Sequence, residues 1–364
     1  MQQAQYKEQK LPTDRKAAVK AGKPGKKKSR MSKGSKILLT IVCIVVGIAL
    51  ALAITVLILN FVGRSKLTND GSDMRLHDQA ENIEAGRVRY KGQLYQYKND
   101  ISTILLMGVD SKEKSESEGE FGESNQADAI VLTVLDPSSK KITLISVSRD
   151  SMCDFEILDE NGASLGSAHA QLALSYAYGD GGDISCQLTT DAVSKLCYDL
   201  PISAYASIYM NGIAQLCSQV GGVTVTPEVS FKQFVAGQPV KIDSSNAETY
   251  LRYRDSTVEG NNGRMERQKA VIMELAKTML RTVRQNPSSI LTIYDSVSRN
   301  VTTNLDAASM VYLARVAASM SLNNDVQKVP GTSTLGEYQH AEFNVDETAL
   351  YELILEIFYE PIDG

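Results

Sequence analysis

The chain has 364 residues, 43% of them hydrophobic, with 38 Lys+Arg against 43 Asp+Glu and a formal net charge of −5. Its three histidines (His77, His169 and His340) lie far apart, and its five cysteines form neither a CxxC nor a zinc-finger spacing, which leaves no basis for a His- or zinc-centred site. The absence of Trp weighs against an aromatic-lined polysaccharide cleft.

The charge is unevenly spread. The first 36 residues hold 12 of the basic side chains and only Glu8 and Asp14 of the acidic ones, leaving 26 basic against 41 acidic in the remainder. This Lys/Pro/Gly-rich arm (1–36) reads as a disordered cytoplasmic tail that sets topology and touches anionic lipid; a nucleic-acid-binding tail is the alternative, and no pattern supports it. Ile37 to Val62 then runs 26 residues without a charge, long enough to cross a bilayer. A signal peptide is the competing reading, but the run exceeds an h-region and no small-residue cleavage site follows it. With Lys23 to Lys36 directly before the span, the N-terminus is expected in the cytoplasm and the rest outside the cell. Residues 63–97 are polar, mixed in charge, and read as a stalk.

From Ile101 the texture changes, and 98–364 reads as one folded domain. Ile101–Val109 and Ala129–Leu135 are apolar runs rich in β-branched residues, as buried strands are. The acidic, Gly/Ser-rich Ser111–Gln126 between them predicts a long loop. Asp136-Pro137-Ser138-Ser139 predicts a turn into a hairpin partner, Lys141–Ser148. Helical patterns follow at Ser185–Tyr198 and at Asn211–Val220, the latter stopped by Gly221-Gly222. Strands are expected at Ala204–Tyr209 and Val223–Thr226. Asp243 or Ser244 is a candidate cap for a helix containing Glu248–Arg254, and Asn262 or Gly263 for a long helix to Arg284. Two or three more amphipathic helices around a Val326–Val329 strand complete the pattern. The fold class is α/β, an α-β-α sandwich around a mixed central sheet, preceded by one transmembrane helix. Cys197 and Cys217 are a candidate disulfide among Cys153, Cys186, Cys197 and Cys217.

Strand ends are where α/β domains place ligand groups. Asp110 ends the first strand, Asp128 opens the second and Arg149-Asp150 ends the third. Asp110 and Asp128 suit a hard, oxygen-ligated cation such as Mg²⁺; solvated turn residues are the plainer reading. Four arginines crowd the middle of this acidic chain, in Arg252-Tyr253-Arg254-Asp255 and Gly263-Arg264-Met265-Glu266-Arg267-Gln268. Arg264, Arg267/Gln268, Val271, Leu275 and Met279 share one helix face, so the first turn points at the edge of the interior. Such arginines grip an anion, or form an internal salt bridge to Glu266 or Asp255; spacing leaves both open.

These pieces resemble the LytR-CpsA-Psr family of cell-envelope proteins. They are Leu106-Met107-Gly108-Val109-Asp110, Ala127-Asp128-Ala129-Ile130, Leu144 to Asp150, Tyr176-Ala177-Tyr178-Gly179, Val220-Gly221-Gly222-Val223 and the two Arg segments, in family order. The resemblance implies a membrane-anchored phosphotransferase that moves a glycopolymer, such as teichoic acid or capsular polysaccharide, from a polyprenyl-pyrophosphate carrier onto peptidoglycan. It implies a hydrophobic cavity for the lipid and Mg²⁺ at its mouth. Asp110 and Asp128 would hold the metal, and Arg149, Arg252, Arg254, Arg264 and Gln268 the pyrophosphate; Arg267 would join them or support the fold. Arg149, Asp110 and Asp128 would carry the catalysis, with Asp110, Asp128 or Asp150 as base. Two positions depart from the family: Gln126 and Gln171 stand where it often has a cation. A polyprenyl-phosphate-binding sensor or scaffold and a lipid-pyrophosphate hydrolase are the alternatives. Nothing on the cytoplasmic side resembles a DNA-reading motif, so no nucleic-acid partner is expected.

Overall fold

The computed structural model describes residues 61–69, 71–84, 86–109, 111, 125–159, 162–253, 259–323, 325–336 and 340–363; in the helix at 259–285 the side chains of 259–262 and 264–266 are not described. The expected tail and nearly all of the expected span therefore lie outside the described residues. No helix among the described residues is long and apolar enough to cross a membrane.

A seven-stranded mixed sheet forms the centre. Strands β4 (Ser102–Val109), β5 (Ala127–Asp136) and β6 (Lys141–Val147) run antiparallel in sequence order, and β9 (Ala204–Tyr209) lies parallel to β4 on its other side. The β5–β6 turn forms where predicted. Asp136 Oδ1 accepts from the Ser138 and Ser139 amides and the Ser138 hydroxyl, the pattern that makes Asp a turn former. Burial alone would raise the Asp136 carboxyl, but these bonds and Lys98 at 3.2 Å hold it below the usual carboxylate range. Short strands complete the sheet: β12 (Val301–Thr303) antiparallel to β9, and β13 (Ser321–Leu322) and β14 (Gln327–Lys328) parallel to β6.

Both faces of β4 are apolar because helices cover both. Leu105, Met107 and Val109 face a core with Leu172 and Tyr176 of α2 (Leu172–Ala177), Cys186 and Val193 of α3 (Asp183–Leu196), and Leu350, Ile354 and Phe358 of α9 (Glu347–Phe358). On the other face, Ile104, Leu135, Ile142 and Leu144 meet Met273, Leu280 and Val283 of α6 (Glu259–Gln285) and Tyr312 and Leu313 of α8 (Ala307–Ala318). A third cluster joins Met210 and Cys217 of α4 (Met210–Gln219), the β10–β11 hairpin (Val223–Val225, Val240–Ile242), Tyr250 and Leu251 of α5 (Ala247–Arg252), and Val271 and Leu275 of α6. Gly221 and Gly222 stop α4 at φ +84° and +86°, with the Gly222 amide returned to the Cys217 carbonyl at 2.6 Å. In helix α5 the N-cap position falls on Asn246 rather than Asp243 or Ser244, without a capping hydrogen bond from its side chain, and the helix ends at Arg252.

The stalk expectation is overturned. A helix, α1 (61–67), docks on α8: a Cβ on Gly63 would meet Tyr312 Cβ at 2.6 Å, and Lys66 pairs with Asp306. Beyond it, β1 (Ala80–Glu84), β2 (Arg87–Tyr90) and β3 (Gln93–Tyr97) form a four-stranded sheet with β17 (Tyr359–Ile362) from the far end of the chain. Val88, Tyr90 and Tyr97 are buried in the main core while Arg89 and Gln93 face solvent. The charged half of that alternation is what makes the segment look like a stalk. The disulfide expectation fails as well. Cys153, Cys186, Cys197 and Cys217 are free and buried, with Cys197 in the main core and Cys217 in the third cluster.

Candidate functional site

The ends of β4, β5 and β6 meet at one edge of the sheet. Val109 pairs with Ala127, but Gly108 pairs with Ala129, so Asp128 is the extra residue of a β-bulge. Bulges of this kind re-aim a side chain at a strand end. Arg149 lies two residues beyond the end of β6. Its Nη1 donates to Asp128 Oδ1, and its Nε lies 3.4 Å from Asp150 Oδ1. The three side chains are 15% (Asp128), 38% (Arg149) and 29% (Asp150) exposed, enough for a ligand to reach them. The convergence expected for Asp128 and Arg149 is therefore present. Asp110 lies outside the described residues.

The backbone around Arg149 is fastened from two directions. Its carbonyl accepts from the Ala173 amide at 2.9 Å, and the Ser151 carbonyl from the Leu172 amide at 2.8 Å, both at the start of α2. The Asp150 carbonyl accepts from the Phe343 amide at 2.8 Å. Phe343 belongs to β16 (Ala341–Val345), which pairs with β15 (Gly331–Leu335). A second hairpin, β7 (Met152–Leu158) with β8 (Ser164–Gln171), leaves the same place. Gln171 donates to the Ala341 carbonyl, so one of the two positions that depart from the family pattern braces the hairpins together; Gln126 is exposed at the mouth of β5.

The Arg-rich segment has a different local chemistry. Arg267 Nε donates to the Tyr250 carbonyl at 3.2 Å and Nη2 to the Tyr253 carbonyl, while Gln268 Nε2 donates to the Leu251 carbonyl at 3.3 Å. These are carbonyls at the C-terminal end of α5, which no further helical turn can satisfy, and a cation is favourable there. The Arg267 guanidinium also lies 4.5 Å from the Phe231 ring centroid. Arg267 thus supports the fold, and the donors of Gln268 are directed to backbone. Arg252 is half-exposed, with Glu248 at 3.9 Å. Arg254 lies outside the described residues, as does the side chain of Arg264. Met210, directly after Tyr209 of β9, packs with Tyr250 and Val271 in the third cluster, while Tyr209 pairs with Val109. This brings α5 and the first half of α6 toward the edge that holds Asp128 and Arg149.

A feature of the sheet itself was not anticipated. Leu106, in the middle of central strand β4, is 39% exposed although helices cover its face. Its neighbours across the ladder, Val131 and Ala206, are partly exposed too, as are Gly108, Ala129 and Ile208 one step toward the strand end. Gly108 fits closely there: a Cβ would approach Ala129 Cβ to 3.2 Å, tighter than an ordinary contact. Small residues and an uncovered leucine therefore form an apolar trough running to Asp128. The void between the sheet and α9, lined by Leu132, Ile145, Leu350 and Phe358 among others, has a volume of about 10 Å³, no more than one water. The alternate-residue run Leu106, Gly108 with Ala129 was the available signal, unreadable without knowing which helix fails to cover it.

The chain is similar to known proteins in sequence and in fold. The LytR_cpsA_psr family model matches residues 62–355. The chain is 29% identical over 290 residues to a polyisoprenyl-teichoic acid–peptidoglycan teichoic acid transferase of Enterococcus faecalis, covering 78% of this chain and 84% of that protein. It is 31% identical over 218 residues to biofilm regulatory protein A of Streptococcus mutans, covering 57% of this chain and 50% of the relative. Among solved structures it resembles protein gbs0355 of Streptococcus agalactiae, at TM-score 0.56 and 25% identity, covering 71% of this chain and 86% of that one. TagV of Bacillus subtilis, at TM-score 0.53 and 20% identity over 72% of this chain and 97% of that one, shares the fold. With the motifs in family order and the mixed sheet in place, this chain belongs to the LytR-CpsA-Psr family.

Proposed function

We propose that this chain transfers a glycopolymer, of the teichoic-acid or capsular and wall-polysaccharide class, from a polyprenyl-pyrophosphate carrier to peptidoglycan outside the cell membrane. The observation that carries this reading is the apolar trough at Leu106 leading to the Asp128–Arg149 pair. An aliphatic chain lying in the trough would set its pyrophosphate beside Arg149. Teichoic acid transferases among the relatives support the donor class. The charge-dense N-terminal arm and the uncharged run after it support a single membrane span with a cytoplasmic N-terminus.

Phosphoryl transfer needs positioning and charge neutralisation more than covalent work from the protein. Arg149 would exchange its bond to Asp128 for a fork to the incoming phosphate, a charge-assisted pairing that guanidinium geometry favours. Arg252, Arg254 and Arg264 would extend the cationic wall, and Arg267 and Gln268 would hold the turn that carries them. Mg²⁺ is the cation this reading assigns to the site. It is usually held by one or two carboxylates plus phosphate oxygens. Asp110 and Asp128 would hold it, and it would neutralise charge on the phosphate oxygens. Asp150, 3.4 Å from Arg149 Nε, or one of Asp110 and Asp128, would take the proton of an acceptor hydroxyl.

Binding of the lipid without turnover is the second reading; the exposed Gln126 and the engaged Gln171 favour it, because two cations are missing. The test is to incubate the purified chain with a polyprenyl-pyrophosphate oligosaccharide, Mg²⁺ and peptidoglycan fragments, following products by mass spectrometry. A sugar–peptidoglycan adduct that Arg149→Ala and Arg264→Ala abolish supports the transferase. Lipid retention without adduct points to the binding module, and product without acceptor to a hydrolase. Unaltered turnover in both variants would sink the site assignment.

A further inference from the structure

The ends of β4 and β6, which lead to position 110 and to Arg149, are about 10 Å apart with β5 between them. Each of the two segments beyond these ends is tied by backbone to a neighbouring element. On one side the Ala173 and Leu172 amides of α2 hold the Arg149 and Ser151 carbonyls. On the other, the Ser111 amide returns to the Val109 carbonyl at 2.8 Å, and the Ser111 carbonyl accepts at 3.0 Å from the amide of Met210, directly after β9.

These two ties meet in a buried network. Tyr176, one turn beyond Ala173 in α2, and Tyr209, the last residue of β9, are 0% and 1% exposed. Both reach the carbonyl of Gly181, in the turn between α2 and α3: Tyr209 Oη donates to it at 2.8 Å and Tyr176 Oη at 3.1 Å. Tyr176 Oη also lies 3.3 Å from Oγ of Ser207, a fully buried residue of β9, and 3.5 Å from Tyr209 Oη. The turn is itself fastened, since the Gly181 amide donates to Ser185 Oγ at 2.8 Å and the Gly182 amide to Asp180 Oδ1 at 2.7 Å. Phenylalanine would fill both positions without placing hydroxyls in the core, where each is unfavourable unless bonded. Burial pushes both phenols up from their usual range, so neither is a base near neutral pH. What the hydroxyls supply is a fixed spacing between α2 and the end of β9.

We infer that Tyr176 and Tyr209 are positioning residues: through the Gly181 carbonyl they lock α2 to the end of β9, and so fix Arg149 relative to the segment that follows β4. The inference rests on the reading of the strand-end site as the reaction centre. Being buried, neither phenol meets substrate; each acts through the backbone that carries Arg149 or follows Val109. Loss of a hydroxyl slows the reaction by misplacing those groups, and a displacement of about 1 Å is enough for a loss on the order of a hundredfold.

Tyr176→Phe, Tyr209→Phe and the double variant of the full chain in detergent test the inference, with Tyr198→Phe as control. Tyr198 Oη makes the same kind of bond, to the Glu347 carbonyl at 3.1 Å, three residues before Pro201, whose carbonyl accepts from Thr103 near the start of β4. Adduct formation is measured against the concentration of the polyprenyl-pyrophosphate oligosaccharide, and amide hydrogen exchange is followed by mass spectrometry around Ser111 and Ala173. The expected result is a kcat about tenfold or more lower in each single variant, with KM for the lipid within about twofold of wild type. Exchange speeds in both segments, and the double variant is within about threefold of the slower single one, because either change opens the same lock. Tyr198→Phe lowers Tm by a similar amount, about 3 °C, without either effect. Melting curves establish folding, and if one single variant does not fold the other decides. A kcat within about twofold of wild type overturns the inference, as does unchanged exchange, a loss carried entirely by KM, or an equal loss in Tyr198→Phe. A wild type that forms no adduct refutes the transferase reading, and the inference with it, an outcome read from the wild type alone.

Discussion

Replacing Arg267 by methionine separates an arginine that holds the fold from one that holds a ligand. The substitution keeps the aliphatic stem and removes the guanidinium. The Tyr250 and Tyr253 carbonyls at the end of α5 then lose their charged donor, and Phe231 loses the cation over its ring. Hydrogen bonds from a charged group contribute about 1.5–3 kcal/mol each, less when half-buried, and the cation–π contact about 0.5–1 kcal/mol. Allowing for exposure and for water reaching the freed carbonyls, the loss is about 3 kcal/mol, and Tm should fall by about 6 °C for a domain of this size. Thermal melting followed by circular dichroism, paired with the adduct assay, reads both quantities. Arg149→Ala should do the reverse, abolishing adduct while Tm moves by less than about 2 °C, because Arg149 is partly exposed at a strand end. If Arg267→Met keeps the wild-type Tm but loses the adduct, Arg267 grips the ligand and the reasoning from its carbonyl contacts is wrong.

Three further outcomes follow from the same geometry. Leu106→Asp should lower stability by about 1–3 kcal/mol, since at 39% exposure Leu106 is still mostly buried and Asp is a poor strand former, and should abolish retention of a polyprenyl lipid in a pull-down by the folded variant; unchanged retention would remove the trough from the model of binding. Asp306 caps α8, and hydrogen bonds from Lys66 and from the Ser309 amide hold its carboxyl down to about 2, against about 3.9 unfolded. Its contribution is therefore present above about pH 4 and is lost as pH falls toward 2. At 45% side-chain exposure it amounts to about 1 kcal/mol or less, so Asp306→Ala should lower Tm at pH 7 and flatten the acid limb between pH 4 and 2; a parallel acid limb would contradict the assignment. Alkylation of the native chain should leave Cys153, Cys186, Cys197 and Cys217 unmodified, whereas unfolding without reductant should make all four react; burial pushes the Cys153 and Cys197 thiols up to about 12. Any residue left unalkylated after unfolding would reveal a disulfide.

Local signals in the sequence determined much of this protein. The β-branched runs of β4 and β5, the Asp-Pro-Ser turn and the Gly221-Gly222 stop are short-range matters of side-chain periodicity and backbone freedom, so they were legible from neighbours in the chain. The strand-end positions of Asp128 and Arg149 were legible for the same reason. Tertiary structure alone decided what depends on distant partners. Residues 80–97 become a sheet only because β17 arrives from the chain's far end to pair with β3, and their exposed charges hide that pairing from a local reading. Arg267 faces carbonyls rather than a ligand because α5 ends against it, and Cys197 and Cys217 stay apart because they pack into different clusters. The trough at Leu106 exists because α6 packs over Ile104 and Leu144 and leaves the next step of the sheet uncovered, a gap set by the placement of a helix more than 150 residues away in the chain.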